Sequence, residues 1–506
     1  MILSKENLSK IPKNSSVNIP VEALFELPEK VLQFGTGVLL RGLPNHFIDE
    51  ANRNGVFNGR VVIVKSTDKG GTEEFTRQDN LFTLCVRGIS EGKQIDEKII
   101  NSSISRVLSA STEWTKILEL AKSKDLQVVI SNTTETGIKL VNEDVLALSP
   151  PSSFPGKLLA FLYERYRAFE GSYTSGLVIL PTELIPDNGK LLKNICMQLA
   201  AINQFDEDFM YWLINSNDFC NTLVDRIVPG SLPKDEHQEV TKLLGYEDDL
   251  MIMSEPYSLW AIETNSDRTK EILSFAKTDP GVVIADSINK HRELKIRLLN
   301  APHTFSCALA IWCGFSTVKQ AMENKTFRDY ISELMVNEII PTLVSSEINE
   351  KEATQFATRI LDRFANPFIA HEWINISFQY TSKVITRCLP VLLKHYKTSS
   401  KAPRCISLGL AAYILFMQSV KNEDGNYVGE IDGKEYILKD DKANVLYNHW
   451  QKKDHVKVIR SVLSDKSLWN QDLSLLPELE MAVQSAMEQL TTKGYKRLFN
   501  NELVSI

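Results

Sequence analysis

Short apolar runs and longer amphipathic stretches alternate along the first half of the chain. The runs are rich in Val, Ile and Leu and span residues 31–34, 60–65, 126–131, 176–181 and 281–286. Stretches with the helical period separate them, for example residues 38–51 and 113–124. Such alternation predicts parallel βαβ units and hence a doubly wound sheet with helices on both faces. Residues 81–87 and the stretch after them predict an additional antiparallel hairpin.

The pattern changes near residue 287, beyond which long amphipathic stretches replace the strand-like runs. These stretches span residues 295–312, 326–340, 352–364 and 478–498. One hairpin is predicted over residues 427–438, where Asp432 and Gly433 supply the residue types of a two-residue turn. We therefore predict an α/β domain over residues 1–287 and a mostly α-helical domain over residues 288–506.

Composition and charge narrow the class of protein. At 506 residues, with 43% hydrophobic and 24% charged residues, the chain is typical of a globular protein of two domains or more. A net charge of -7 argues against a general nucleic-acid binder, so a small-molecule partner is expected. The 7 cysteines show no CxxC pair or zinc-like spacing, which predicts free thiols and no metal. Neither a signal-peptide core nor a bilayer-spanning run is evident, so we expect a cytoplasmic protein without a membrane partner.

A glycine turn follows the first predicted strand. The segment Phe34-Gly35-Thr36-Gly37 stands between a strand and a helical stretch, where a dinucleotide-binding turn is found. The fingerprint is incomplete because Leu40 occupies the place of a third glycine, and a turn without a nucleotide is the alternative. Asp68, past the second strand, is a candidate for the ribose hydroxyls of NAD, whereas Lys65 and Lys69 could meet the extra phosphate of NADP.

Three further polar segments lie where open α/β sheets place their ligands or between helical stretches. They are residues 131–137, residues 181–189 and residues 221–226. The carboxyl ends of parallel strands meet at one edge of a sheet, so these segments are candidates for ligand binding. Each also has a structural interpretation, because polar residues after strands commonly form turns and Asp-Arg neighbours commonly form internal ion pairs.

A second group of candidate residues places an amine, an amide and an imidazole on one predicted helix. At about 100° per residue, Asn300 falls roughly 140° and His303 roughly 80° around from Lys295, so the three side chains can converge on one cleft. This set suits acid–base chemistry at a carbinol or carbonyl carbon, with the lysine carrying the proton. A solvated helix face is the alternative. Pro302 removes one backbone donor within the same stretch and predicts a kink.

Taken in chain order, these segments resemble the mannitol dehydrogenase family of polyol-specific long-chain dehydrogenases. The Lys-x4-Asn-x2-His arrangement over residues 295–303 is the hallmark of that family, and the resemblance runs from about residue 31 to about residue 392. A narrower likeness, to members that act on sugar acids, is carried by residues 33–41, 131–135, 183–189, 219–228, 299–304, 363–371 and 383–390.

The resemblance implies a Rossmann-type N-terminal domain, a helical C-terminal domain, an active site between them and no metal. The implied reaction is the reversible reduction of D-tagaturonate to D-altronate by NADH in the breakdown of hexuronates. In it Lys295 is the general acid/base, Asn300 polarises the carbonyl, and His303 orients the substrate or the lysine. Fructuronate reduction and mannitol-type polyol oxidation are the alternatives within enzymes. A nucleotide-binding sensor without catalysis is the alternative from another class.

The resemblance also gives roles to residues of the first domain. Beside the glycine turn and Asp68, the candidates for the cofactor are Asn132, Thr134 and Asp225. Glu183 and Arg226 are candidates for the substrate.

A sugar acid carries a carboxylate that a sugar alcohol lacks, so an additional cation is expected in the helical domain. His371, Lys383 and Arg387 are the candidates for this contact. His371 departs from the mannitol-type pattern, which commonly has an aspartate at this place, and the exchange favours an acidic substrate. The sequence leaves the oligomeric state open.

Overall fold

The computed structural model describes residues 1–12, 16–66, 71–133, 137–144 and 148–492. The chain divides into two compact units, the first formed by residues 1–88 with 93–288 and the second by residues 89–92 with 289–506. Two of the candidate cofactor residues, Asp68 and Thr134, lie outside the described residues. Within those ranges no helix is both long enough and apolar enough to cross a membrane.

Thirteen strands and nine helices of the described residues begin in the first unit. The strands are β1 Val17–Asn18, β2 Glu29–Phe34, β3 Arg60–Lys65, β4 Phe82–Ser90, β5 Lys93–Asn101, β6 Ile104–Ser109, β7 Val128–Ser131, β8 Val178–Pro181, β9 Asp218–Phe219, β10 Thr222–Asp225, β11 Ile252–Ser254, β12 Leu259–Glu263 and β13 Val282–Ala285. The helices are α1 Val38–Gly42, α2 Pro44–Arg53, α3 Glu73–Arg77, α4 Ala110–Leu120, α5 Phe154–Ala168, α6 Asn188–Ile202, α7 Glu207–Asn215, α8 Lys234–Leu244 and α9 Asp267–Ile272.

The largest sheet of the first unit confirms the predicted doubly wound α/β fold. It has six parallel strands in the order β6-β3-β2-β7-β8-β9. Numbered along the chain within this sheet, the order is 3-2-1-4-5-6, the order of a Rossmann-type sheet, and its switch point falls between β2 and β7. The prediction that residues 281–286 extend this sheet is wrong, because β13 pairs with β12 in a separate sheet of β10, β12 and β13.

Burial on both faces explains why the central strands read as continuous apolar runs. Along β3, Val62 and Val64 belong to one core cluster, while Val61 and Ile63 belong to a cluster on the other face. The first cluster includes residues of α4 to α7, such as Trp114 of α4, and the second includes residues of α2. Each face of the sheet therefore has its own helical layer, and the carboxyl-terminal edge is where loops are left to bind ligands.

The second unit is mostly helical, as predicted. Its helices are α10 Asn289–Leu294, α11 Ala301–Trp312, α12 Val318–Glu323, α13 Lys325–Glu333, α14 Ile340–Leu343, α15 Glu350–Phe364, α16 Trp373–Ile376, α17 Tyr380–Lys383, α18 Leu389–His395, α19 Arg404–Phe416, α20 Ala443–Trp450, α21 His455–Leu463, α22 Lys466–Trp469 and α23 Leu479–Thr492. Three short strands, β14 Val420–Lys421, β15 Tyr427–Ile431 and β16 Lys434–Ile437, form one antiparallel sheet.

The hairpin of β15 and β16 confirms the turn predicted from the sequence. Ile431 pairs with Lys434, which leaves Asp432 and Gly433 as a two-residue loop with φ angles of 52° and 74°. Two consecutive positive φ values define the type I′ turn, whose twist matches that of antiparallel strands.

In the described part of the second unit, three π-helical turns interrupt the helices, at Lys295–Asn300, Leu334–Ile339 and Val384–Cys388. Each is followed by an α-helix with a proline at its second position. The residue before that proline donates to the carbonyl five residues back, as from Ala301 to Ile296. A proline ring clashes with the carbonyl four residues back, and a wider turn removes that clash. At Pro302 the predicted kink thus takes the form of a π-helical turn.

Candidate functional site

The glycine turn after β2 lies at the switch point of the parallel sheet. Gly35 has a φ of +122°, and a Cβ there would lie 3.1 Å from Leu40 Cδ1 and 3.2 Å from Asn132 O, so a side chain would be strained. Gly37 differs, because no atom lies within 4 Å of the place of its Cβ. Phe34 is buried, Thr36 is half-buried and Gly37 is exposed. The backbone of this turn is therefore accessible to a ligand, as the diphosphate of a dinucleotide requires.

The helix that follows the turn is shorter than predicted. One helix was expected over residues 38–51, but α1 ends at Gly42, and Leu43, with φ -130° and ψ -78°, separates it from α2. Leu40 packs over Gly35, so the third glycine of the usual fingerprint is not needed there. The close approach falls instead at Gly42, where a Cβ would lie 2.9 Å from both methyl groups of Val228.

The loop after β7 is held by the loop after β8. Asn132 donates from Nδ2 to the carbonyl oxygen and to the hydroxyl of Thr182, at 3.0 Å each. Glu183, 3% exposed, accepts from the hydroxyl of Ser131 at 3.2 Å and from the backbone N–H of Thr133 at 2.8 Å. Glu183 was predicted to bind substrate, whereas these bonds favour a positioning role beside the glycine turn.

Arg226 is bound inside the first unit. Its Nε donates to the carbonyl of Glu255 at 2.9 Å, and its Nη1 donates to the carbonyl of Gly42 at 2.7 Å. Burial lowers the pKa of Arg226 to about 10, against the opposing effect of Glu255. These contacts favour an internal role over the predicted substrate contact. Asp225, at the end of β10, is buried as well.

In the second unit, the segment with the predicted catalytic residues lies against the segment with the predicted cations. Arg297 donates from Nη1 to the carbonyls of Thr386 and Arg387, at 2.7 and 2.9 Å. Arg387 in turn donates from Nη1 to the hydroxyl of Thr304 at 3.4 Å, and that hydroxyl donates to the carbonyl of Asn300 at 2.8 Å. The structure thus brings Arg387 to the helix that carries Lys295, Asn300 and His303.

The π-helical turn changes the predicted arrangement of the first two catalytic candidates. Lys295 and Asn300 are its first and last residues, and both are half-buried. In a turn whose hydrogen bonds join residues five apart, these two positions lie closer to the same face than in an α-helix, where they are roughly 140° apart. The sequence argument for a shared cleft therefore underestimated how well this pair is aligned.

His303 is enclosed by aromatic side chains. Its ring stacks on Phe364 with the ring centres 3.9 Å apart, and the edge contacts to His371 and Trp373 have centres 5.2 and 5.7 Å apart. Among the described residues, its buried Nε2 has no hydrogen-bond partner. Burial, helped by the charges of His371 and of nearby arginines, lowers the pKa of His303 well below its ordinary value. The ring is therefore neutral at pH 7 and keeps one nitrogen for a ligand.

The three residues predicted to bind the substrate carboxylate lie close enough for the charge of one to lower the pKa of the next. Burial and then Arg387 lower the pKa of Lys383, while burial and then Lys383 lower the pKa of His371. Lys383 donates from Nζ to the carbonyl of Ile376 at 2.8 Å. Among the described residues Lys383 bonds to a carbonyl and Arg387 to a hydroxyl, and Asp440 acts on Lys383 through its charge. The positive charges of Lys383 and Arg387 therefore have no carboxylate in hydrogen-bond contact within the described ranges.

Sequence reasoning gave no role to two neighbours of this cluster. Arg363 is 6% exposed and its charge acts on His303, and Thr304 joins Arg387 to Asn300. Both belong to segments that carried the family resemblance, so the signal was present, but nothing in the spacing showed that they lie beside His303.

The fold and the two groups of residues define a nicotinamide-dependent dehydrogenase that acts on CH–OH groups. Family models confirm this class. The mannitol dehydrogenase Rossmann domain matches residues 29–273, and the mannitol dehydrogenase C-terminal domain matches residues 287–491. The chain belongs to the mannitol dehydrogenase family, as the sequence resemblance indicated.

Among curated proteins, the chain is similar to altronate oxidoreductases over nearly its full length. It is 36% identical to that of Halalkalibacterium halodurans strain C-125, over 95% of this chain and 94% of the relative. It is also 36% identical to that of Bacillus subtilis strain 168, over 93% of this chain and 96% of the relative. These relatives support a polyol or sugar-acid dehydrogenase.

Two solved structures share the fold. Pseudomonas fluorescens mannitol 2-dehydrogenase, in a ternary complex with NAD and D-mannitol, superposes with a TM-score of 0.69 at 21% identity and covers 99% of both chains. A substrate-free D-sorbitol dehydrogenase superposes with a TM-score of 0.73 at 19% identity, over 99% of this chain and 100% of the other. At these identities the likeness concerns the fold alone.

Proposed function

We propose that the protein catalyses the NAD-dependent, reversible reduction of D-tagaturonate to D-altronate. The observation that carries this proposal is the cluster of Lys383, Arg387 and His371 beside His303. A carboxylate bound to a charged donor gains about 1.5–3 kcal/mol, and the half-buried cations Lys383 and Arg387, which form no hydrogen bond to a carboxylate among the described residues, are what such a substrate would complete. The names of the relatives, altronate oxidoreductase, point to the same substrate class.

Each of the three candidate catalytic residues of the second unit has one role in the proposed chemistry. Bound NADH supplies the hydride. Lys295 gives a proton to the oxygen that becomes an alkoxide, and Asn300 donates from its amide to that oxygen. Neutral His303 orients the substrate or the lysine through its unpaired nitrogen.

The cofactor belongs to the first unit in this proposal. The open backbone at Gly37 suits the diphosphate, and Gly35, with a φ that other residues rarely adopt, fixes the turn that presents it. Asn132 and Asp225 are proposed to complete the site with Thr134. Asp68 is proposed to accept the ribose hydroxyls, which favours NADH over NADPH.

The test is NADH consumption by the full chain with a panel of tagaturonate, fructuronate and fructose. We expect the highest kcat/KM for tagaturonate and a lower kcat/KM when NADPH replaces NADH. Preference for fructuronate would assign the same catalytic residues to the other uronate, and preference for fructose would assign a mannitol-type reaction. Absence of turnover with every ketose, together with NADH binding, would support a sensor without catalysis.

A further inference from the structure

A histidine and two carboxylates meet in the first unit, apart from the glycine turn. His46 and Glu50 are four residues apart on α2 and therefore project from the same face of that helix. Asp279 follows residues 274–277, a helical turn that packs against α2. One nitrogen of His46 and one oxygen from each carboxylate lie within 4.8 Å of one another. All three residues are half-buried.

Neighbouring arginines only partly balance the charge of the two carboxylates. Arg53 on the same helix is paired with Asp49, with Nε and Oδ2 2.7 Å apart. Arg226 acts on Glu50 and Asp279 through its charge, but the largest charge acting on Arg226 is that of Glu255. One guanidinium therefore faces three carboxylates, and part of the negative charge of the cluster remains to be balanced.

We propose that His46, Glu50 and Asp279 bind a divalent transition-metal ion, with Zn²⁺ the best match. An imidazole and two carboxylates are ligands that Zn²⁺ accepts in sites with three protein ligands, where water takes the fourth place. In a tetrahedral site, ligand atoms about 2.0–2.2 Å from one ion stand about 3.3–3.6 Å apart, so the side chains close by up to about 1.5 Å to complete the site. The partial exposure of Glu50 and Asp279 gives the ion a way in.

The ion would act on the stability of the first unit. It would tie α2, which follows the glycine turn through α1, to the segment before β13. Lys295, Asn300 and His303 belong to the second unit, so the inference is independent of the proposed reaction. The sequence expectation of no metal rested on the spacing of the cysteines and on the family resemblance; this set of ligands uses no cysteine and takes no part in the proposed reaction.

A proton is the alternative occupant of this cluster. Burial and the adjacent Asp279 raise the pKa of Glu50 to about 7, so a proton shared by the two carboxyl groups can also balance their charge. The two interpretations differ in what removal of His46 does, because a shared proton between carboxyl groups does not need the imidazole.

The experiment is calorimetric titration of the chelator-treated full chain with ZnCl₂, and separately with MnCl₂ and MgCl₂. We expect one Zn²⁺ per chain and a melting temperature that rises with the Zn²⁺ concentration. His46→Gln and Asp279→Asn should each weaken Zn²⁺ binding by at least about tenfold, the lower end of what loss of even an outer-shell partner causes. Glu50→Gln can keep a hydrogen bond to Asp279 and serves if another variant does not fold.

His449→Gln is the matched control, because His449 contacts a single carboxylate, Asp465, with Nε2 and Oδ2 2.8 Å apart. Its Zn²⁺ affinity should equal that of the parent chain. Absence of Zn²⁺ binding, or binding that the cluster variants leave unchanged, would overturn the proposal. In that case the carboxyl groups share a proton only.

Discussion

Arg226 of the first unit and Arg387 of the second are both substrate candidates in the sequence, and the structure gives them different surroundings. Arg226 donates to two backbone carbonyls at 2.7 and 2.9 Å. Arg387 has one hydrogen bond among the described residues, at 3.4 Å to a hydroxyl. Arg387 is only half-buried, so its remaining N–H groups can reach water or a ligand. Arg226 therefore uses its donors to hold the fold, whereas Arg387 has donors left for the carboxylate that the proposed function requires.

The same difference extends to the amides and imidazoles of the two units. Asn188, at the start of α6, donates to the carbonyls of Pro181, Glu183 and Thr222. It is fully engaged in joining β8 to β10. His303 in the second unit has a buried nitrogen without a partner. Asn188 therefore holds loops of the first unit in place, whereas Nε2 of His303 is available for a further hydrogen bond.

The largest effect on activity is expected at Lys295, which belongs to the second unit and is the proposed acid–base group. Lys295→Ala should lower kcat with tagaturonate by about 10²- to 10⁴-fold, the range for a positioned acid–base group, and leave NADH affinity nearly unchanged. Lys290→Ala is the control, because Lys290 forms a salt bridge with Glu352 at 2.8 Å. Its kcat should stay within about threefold of the parent, since exposed salt bridges contribute little. A loss of less than threefold in Lys295→Ala would remove this lysine from the mechanism.

The next effect concerns stability and falls on the first unit. Arg226→Met leaves the carbonyls of Gly42 and Glu255 without their donor, and each unsatisfied buried group costs about 1–3 kcal/mol. We expect a lower midpoint in urea and a similar loss of activity for tagaturonate and for fructose. If Arg226→Met instead keeps the midpoint and raises KM for tagaturonate alone, Arg226 binds substrate and the comparison fails.

A smaller but more selective effect is expected from the cations of the second unit. Lys383→Met and Arg387→Met should each raise KM for tagaturonate by roughly 10- to 100-fold, the equivalent of a charge-assisted contact. KM for fructose, which has no carboxylate, should change much less. Lys394→Met provides the control, because Lys394 lies on α18 near Glu293 at 3.5 Å and is 42% exposed. Equal losses for both ketoses would indicate general damage to the site.

Local rules explain most of what the sequence predicted of the fold. The apolar runs of β2, β3, β7 and β8 were recognisable because burial on both faces requires them. β9, with two residues, is too short to leave a period, and β6 alternates buried and half-exposed positions at the edge of the sheet. β13 has the composition of a sheet strand, but pairing with β12 is decided by tertiary contacts that composition does not encode.

The candidate site was predictable in its residue types and less so in its geometry. The spacing of Lys295, Asn300 and His303 suggested one helix face, but the calculation assumed 100° per residue and Pro302 was interpreted as a kink. The π-helical turn before it could not be deduced, because proline shows only that one bond is missing. The contrast between Arg226 and Arg387 depends on backbone carbonyls brought together by the fold, and no single-sequence pattern reports them.

The smallest effect is the pH dependence of stability that His303 and His371 of the second unit contribute. Burial lowers the folded-state pKa of His303 well below 6.5, and burial with Lys383 lowers that of His371. Below pH 6.5 the unfolded chain then binds more protons than the native chain. The stability due to these neutral rings is complete above about pH 6.5 and is lost as the pH falls, by up to about 1.4 kcal/mol per pH unit for each ring.

His303→Gln should therefore flatten the decline of the urea midpoint between about pH 6.5 and pH 5. His455→Gln, a change at an exposed histidine, should keep the parent's slope. Equal slopes in all three proteins would show that the enclosed imidazole is not what makes the second unit sensitive to acid.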